Sequence, residues 1–114
     1  MKNKLFIVLV LLFGVLVACS EIKSHPMDMS VAVRNAGTKA DHEALAEHYD
    51  ATANEMQAKV EEHKKLLEQY RAKSYLYGRQ APIFEQHCQT LIGVYQNAVT
   101  ENHAMAELHR TMAQ

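Results

Sequence analysis

The chain has 114 residues, a formal net charge of −1 and mean hydropathy of −0.24. That is enough for one small domain, and the near-neutral charge excludes a basic surface for nucleic acid. Four glycines, two prolines, no tryptophan and few β-branched residues after position 38 predict an all-α fold.

At the amino end, Lys2 and Lys4 precede an apolar run from Leu5 to Val17, followed by the small residue Ala18 and then Cys19. Charge, apolar segment and small-residue cut site form the layout of a secretory signal peptide. Thirteen residues at ~1.5 Å each reach roughly 20 Å, short of the ~30 Å hydrocarbon core that a membrane-spanning helix must cross. The tetrapeptide Leu16-Val17-Ala18-Cys19 resembles the lipobox of bacterial lipoproteins. The resemblance covers residues 1–20 and implies cleavage before Cys19, diacylglyceryl attachment to its thiol, and fatty acylation (palmitate) of the new amino terminus. Ser20 after the cysteine resembles the default outer-membrane sorting signal, so the expected location is the outer membrane, facing the periplasm. Lys2 and Lys4 leave with residues 1–18, so ten basic side chains face thirteen acidic ones in the mature chain, a net −3.

Residues 19–37 mix Pro26, Gly37 and isolated charges without a helical period, and are expected to be a lipidated tether. Within them, His25, Met27 and Met29 carry soft donors of the kind that suits Cu(I). A flexible linker with incidental methionines is the alternative.

Thr38-Lys39-Ala40-Asp41 fits a capping box and opens the domain of residues 38–114. From there His42, Leu45, Tyr49, Thr52, Met56, Val60, His63, Leu67, Tyr70, Ser74 and Tyr77 recur at three- and four-residue steps, with charges on the other faces. The spacing predicts an amphipathic helix ending at Gly78, with a seam close to heptad spacing. Pro82 suits the start of a second helix, whose seam runs Phe84, Cys88, Leu91, Tyr95, Ala98, Asn102, Met105, His109 and Met112 to the carboxyl end. Two such helices joined by a short turn predict a long antiparallel hairpin, and a break into three helices near Ser74 is the alternative. A hairpin buries one side of each seam, so dimerisation into a four-helix bundle is expected.

The two helices resemble each other at an offset of 46 residues: Leu45/Leu91, Tyr49/Tyr95, Glu55/Glu101, Ala58/Ala104, Glu61/Glu107 and His63/His109 are identical. Folding the chain about Arg79 places Tyr49 beside His109, Tyr95 beside His63 and His48 near His109. These Tyr–His pairs read as core pairs in which a tyrosine hydroxyl satisfies a buried histidine. The alternative is a copper or zinc site drawing on His48, His63, Cys88, His109, Met27 and Met29. No His-x-x-x-His and no Glu-x-x-His is present. Cys88 stands alone once Cys19 carries lipid, so no internal disulfide forms. There is no Cys-x-x-Cys-His, Gly-rich phosphate loop or serine elbow.

The paired Tyr…His pattern, with His87-Cys88 and the closing His109-Arg110-Thr111-Met112-Ala113, resembles a recurrent type of short exported helical bacterial protein. That resemblance supports the helical fold and implies no activity. The sequence therefore leads to a non-enzymatic, membrane-anchored, periplasm-facing module, structural or partner-binding, with transition-metal binding or homeostasis as the second reading. The expected partners are the lipid bilayer through Cys19, a second copy, and a periplasmic protein.

Overall fold

The computed structural model describes residues 27–114. The signal peptide of residues 1–18, Cys19 and the first part of the tether, His25 included, lie outside the described residues. Those described are helical, in the order α1 (Met29–Asn35), α2 (Lys39–Ala72), α3 (Ser74–Tyr77), a 3-10 turn (Gly78–Gln80) and α4 (Ala81–Met112). The two long helices pack along one another as an antiparallel hairpin. Among the described residues no helix is long and apolar enough to cross a membrane.

α1 departs from the expected tether. Asp28 caps it, its carboxylate accepting from the Val31 amide at 3.2 Å. Seven residues are too few to show a helical period in sequence, which is why composition alone read as linker. α1 rests on the first turns of α2, where Met27, Val31, Ala32, Asn35, Asp41, Ala44 and Leu45 line a cleft of about 170 Å³.

α2 starts where its capping box predicts. The Thr38 hydroxyl accepts from the Asp41 amide at 3.2 Å, and the Asp41 carboxylate accepts from the amides of Thr38 and Gly37 at 2.9 and 3.1 Å. Those amides, Gly37 foremost and the Thr38 hydroxyl next, hold the Asp41 carboxyl below its ordinary value.

The turn differs in its first half. α2 ends at Ala72, because Lys73 leaves the helical region (φ −115°, ψ 26°), and the single turn α3 follows before Gly78. Gly78 has φ +51° and ψ −124°, a backbone region that a side chain disfavours. Pro82 sits inside the first turn of α4, where its missing N–H costs no bond. Tyr70, Tyr77 and Phe84 form a three-ring cluster across this end, with centroids 5.0–5.3 Å apart.

The fully buried residues on α2 are Leu45, Ala46, Ala53, Val60 and Leu67, and on the returning arm Ala81, Cys88, Ala106 and Ala113. Ala46, Ala53, Val60 and Leu67 step by seven, beside a part-buried row at His42, Tyr49, Met56, His63 and Tyr70 that does the same. On α4 the expected row holds at Cys88, Leu91, Tyr95, Ala98, Asn102 and His109, and towards the carboxyl end Ala106 and Ala113 are buried in place of Met105 and Met112, which are exposed. Alanines weigh little in a hydropathy pattern, yet they let two helix backbones approach, so the larger methionines are turned outward. The 46-residue repeat and the hairpin register agree, giving an approximate two-fold axis between Met56 and Asn102.

Candidate functional site

Three places on the hairpin carry the chemistry that the sequence singles out. The first is the open end, where the start of α2 meets the end of α4. Tyr49 stacks on His109, with centroids 5.6 Å apart and planes 11° from parallel. The other neighbour of His109 is His42, one heptad before Tyr49, with Nδ1 to Nδ1 at 3.1 Å. The expected neighbour was His48. It lies six residues after His42, about 240° around the helix, and its ring instead meets Tyr49 edge-on at 5.8 Å.

Beside these rings, Asp50 of α2 bridges to α4. Its carboxylate takes hydrogen bonds from Arg110 and from His103 Nδ1, the latter at 3.0 Å, and Arg110 also holds Glu107 at 2.6 Å. The Arg110 guanidinium first, and His103 second, hold the Asp50 carboxyl below its ordinary value. No spacing rule pointed to this cross-helix group, because Asp50, His103 and Arg110 all lie off the apolar seam. The signal that could have found it is their position in the hairpin register, level with Tyr49 and His109.

The second place is the symmetry mate of the first. His63 stacks on Tyr95 with centroids 5.5 Å apart and planes 21° from parallel. Here the expected hydroxyl-to-imidazole bond is replaced by contact between ring faces. His63 Nδ1 is buried without a partner, alone among the buried side-chain nitrogens and oxygens of the described residues. An orphaned nitrogen of this kind costs stability.

The third is Cys88, which is buried as an unpaired thiol, while the adjacent His87 is exposed.

The six side chains named for a metal do not converge. His48 and His63 lie fifteen residues apart on one helix, roughly 22 Å along its axis. Cys88 and His109 are twenty-one apart, roughly 32 Å. Met27 lines the α1 cleft and Met29 opens α1. Among the described residues no group of three or more His, Cys, Asp or Glu is placed to hold a metal ion.

The outer faces of the two long helices form a fourth feature. α2 carries thirteen Asp, Glu, Lys and Arg residues in 34, and none of its large hydrophobics is exposed. α4 carries four in 32 (Glu85, Glu101, Glu107, Arg110) and exposes Ile83, Val94, Met105, Leu108 and Met112. Steps of eleven from Ile83 to Val94 to Met105 advance only about 20° each around a helix, and Leu108 and Met112 fall beside them. They fall on one side of α4 flanking the seam, with His87, Thr90, Asn97 and Glu101 between them.

Comparison of the chain with protein-family models, with curated proteins and with solved structures returns no match.

Proposed function

We propose that this protein is a lipid-anchored helical module of the bacterial envelope, structural rather than catalytic, that works by assembling through the outer face of α4. The observation that carries the reading is the exposed stripe of Ile83, Val94, Met105, Leu108 and Met112 on an otherwise charge-poor helix. Scattered surface hydrophobics need no explanation, but five exposed on one side of α4 and none on α2 do.

The occupant we assign is a second copy of the chain, in a four-helix arrangement. Five of the nine fully buried residues are alanines, and only Leu45 and Val60 are large and essentially inaccessible. A seam of that size gives a two-helix hairpin little independent stability, whereas burying the stripe adds roughly 1.5–3 kcal/mol for each large side chain fully covered. Glu85 pairs with Arg71, and Glu107 and Arg110 pair with each other, so of the four charges on α4 only Glu101, between Val94 and Met105, brings like charge to this face. Anchoring at Cys19 would concentrate copies on one membrane surface, which further favours pairing.

The test is site-directed crosslinking in membranes. Val94→Cys in a Cys88→Ala background, treated with a short bis-maleimide, is expected to yield a product of twice the chain mass. Glu61→Cys on the charged face of α2 serves as the matched site. Equal yields from both sites, or a Val94→Cys adduct only to other proteins, would overturn assembly through α4. Metabolic labelling with a palmitate analogue, lost in Cys19→Ala, tests the anchor separately.

A further inference from the structure

We infer that His42 and His109 form a two-coordinate site for a monovalent d10 metal ion, Cu(I) being the ion of that class that imidazole and thioether donors suit. The inference rests on the facing pair of ring nitrogens at the open end and not on assembly through α4, which would cover Met105 and Met112 beside it. Its basis is the direction in which the two nitrogens face. The ring centres are 5.3 Å apart and the planes 26° from parallel, with Nδ1 to Nδ1 at 3.1 Å. A centre separation of 5.3 Å is close to that contact plus the two ring radii, so the nitrogens meet head-on, each lone-pair axis aimed at the other ring.

That arrangement selects among metals. A tetrahedral ion needs its donors at about 109° and takes three or four protein ligands. Two lone pairs on one line cannot chelate at that angle, and no third His, Cys, Asp or Glu among the described residues completes such a group. Linear coordination is what opposed nitrogens can offer. With metal–nitrogen bonds of ~2 Å, it needs the nitrogens ~4 Å apart, so the pair must widen by about 0.9 Å. Both side chains are part-buried near helix ends, and His42, which lacks the Tyr49 ring stacked on His109, is the one whose χ rotation would supply that movement.

The surroundings fit a soft monovalent ion. Tyr49 covers the far face of His109 and fixes the ring. Met105 and Met112 stand four residues before and three after His109, on neighbouring positions of the helix surface, and carry donors of the class Cu(I) prefers. The two nitrogens lie within hydrogen-bond distance of each other, a contact that keeps the pair aligned.

The experiment is anaerobic Cu(I) titration of the full chain in detergent, against a colorimetric Cu(I) chelator. A Cys88→Ala background removes the thiol as a competitor. One Cu(I) per chain is expected, with affinity falling at least about 100-fold in His42→Gln and in His109→Gln and unchanged in His87→Gln. Absence of stoichiometric uptake, or uptake unaffected by either seam substitution, would overturn the site. Should a variant lose its helical circular dichroism, copper K-edge absorption on the Cu(I)-loaded parent decides. Two nitrogen neighbours near 2 Å, with or without one sulfur, support the site. Three or more nitrogens, or sulfur alone, refute it.

Discussion

The two long helices share a seam and a repeat, yet their outer faces are opposites. α2 is laced with short-range ion pairs, Lys59 with Glu62 at 2.7 Å and Lys64 with Glu61 at 3.0 Å. Exposed pairs of this kind contribute little to stability, and what they do is keep that face wet and solitary. α4 has few such charges and leaves its larger apolar groups uncovered. The repeat reaches exposed positions too, at Glu55/Glu101, Ala58/Ala104 and Glu61/Glu107, but most charges of α2 and most exposed apolar groups of α4 have no counterparts across it. Inner positions answer to packing within the chain, and outer positions answer to what lies beyond it.

The contrast can be broken at its inner face first. Leu45→Ala removes a side chain that is 1% exposed and is expected to destabilise the hairpin by about 2–4 kcal/mol at every protein concentration, read by urea titration. If Leu45 proved neutral, the seam would not be what holds the helices together.

The turn comes next. At Gly78 (φ +51°) an added Cβ meets nothing within 4 Å, so the cost of Gly78→Ala is conformational alone, about 1–3 kcal/mol in the same titration. Thr38→Ala removes one half of the capping box and is expected to cost about 1 kcal/mol, while Thr38→Ser retains most of that stability.

The smallest effect is electrostatic and concerns the bridge between the two faces. Asp50 titrates below its ordinary value of 3.8 in the folded chain, because Arg110 and His103 hydrogen-bond its charged form. Its contribution is therefore complete above the unfolded value and is lost as the pH falls through the lower folded one. Thermal melts between pH 5 and pH 2 are expected to lose a small increment below about pH 4 that Asp50→Asn lacks throughout. Identical pH profiles for the two proteins would remove Asp50 from the account.

Much of this architecture was legible from residue types and spacing. Thr38 and Asp41 announced the start of α2 because a capping box is a local device that needs no tertiary contact. The register was legible because Tyr49, His63, Tyr95 and His109 recur at one offset and are equidistant in pairs from the turn. The alanine seam was not, since Ala46, Ala53 and Ala106 differ from surface alanines only in what packs on them. The break at Lys73 falls where the alternative reading set one, near Ser74, although the residue itself has good helix propensity and leaves the helical region as the chain enters its turn. At the open end the sequence placed His109 with Tyr49 but looked to His48, and missed His42. The row His42, Tyr49, Met56, His63 and Tyr70 steps by seven, so the signal was present. Helical angle, rather than proximity in number, was the quantity that mattered.

The most direct measurement of the central claim is sedimentation equilibrium of the full chain in density-matched detergent, beside Val94→Glu and the charged-face variant Lys65→Ala. Assembly through α4 gives twice the chain mass for the parent and for Lys65→Ala, and a single-chain mass for Val94→Glu, whose helical circular dichroism melts at a lower temperature. A parent that stays at single-chain mass up to about 100 μM, or a Val94→Glu chain that associates like the parent, would contradict it.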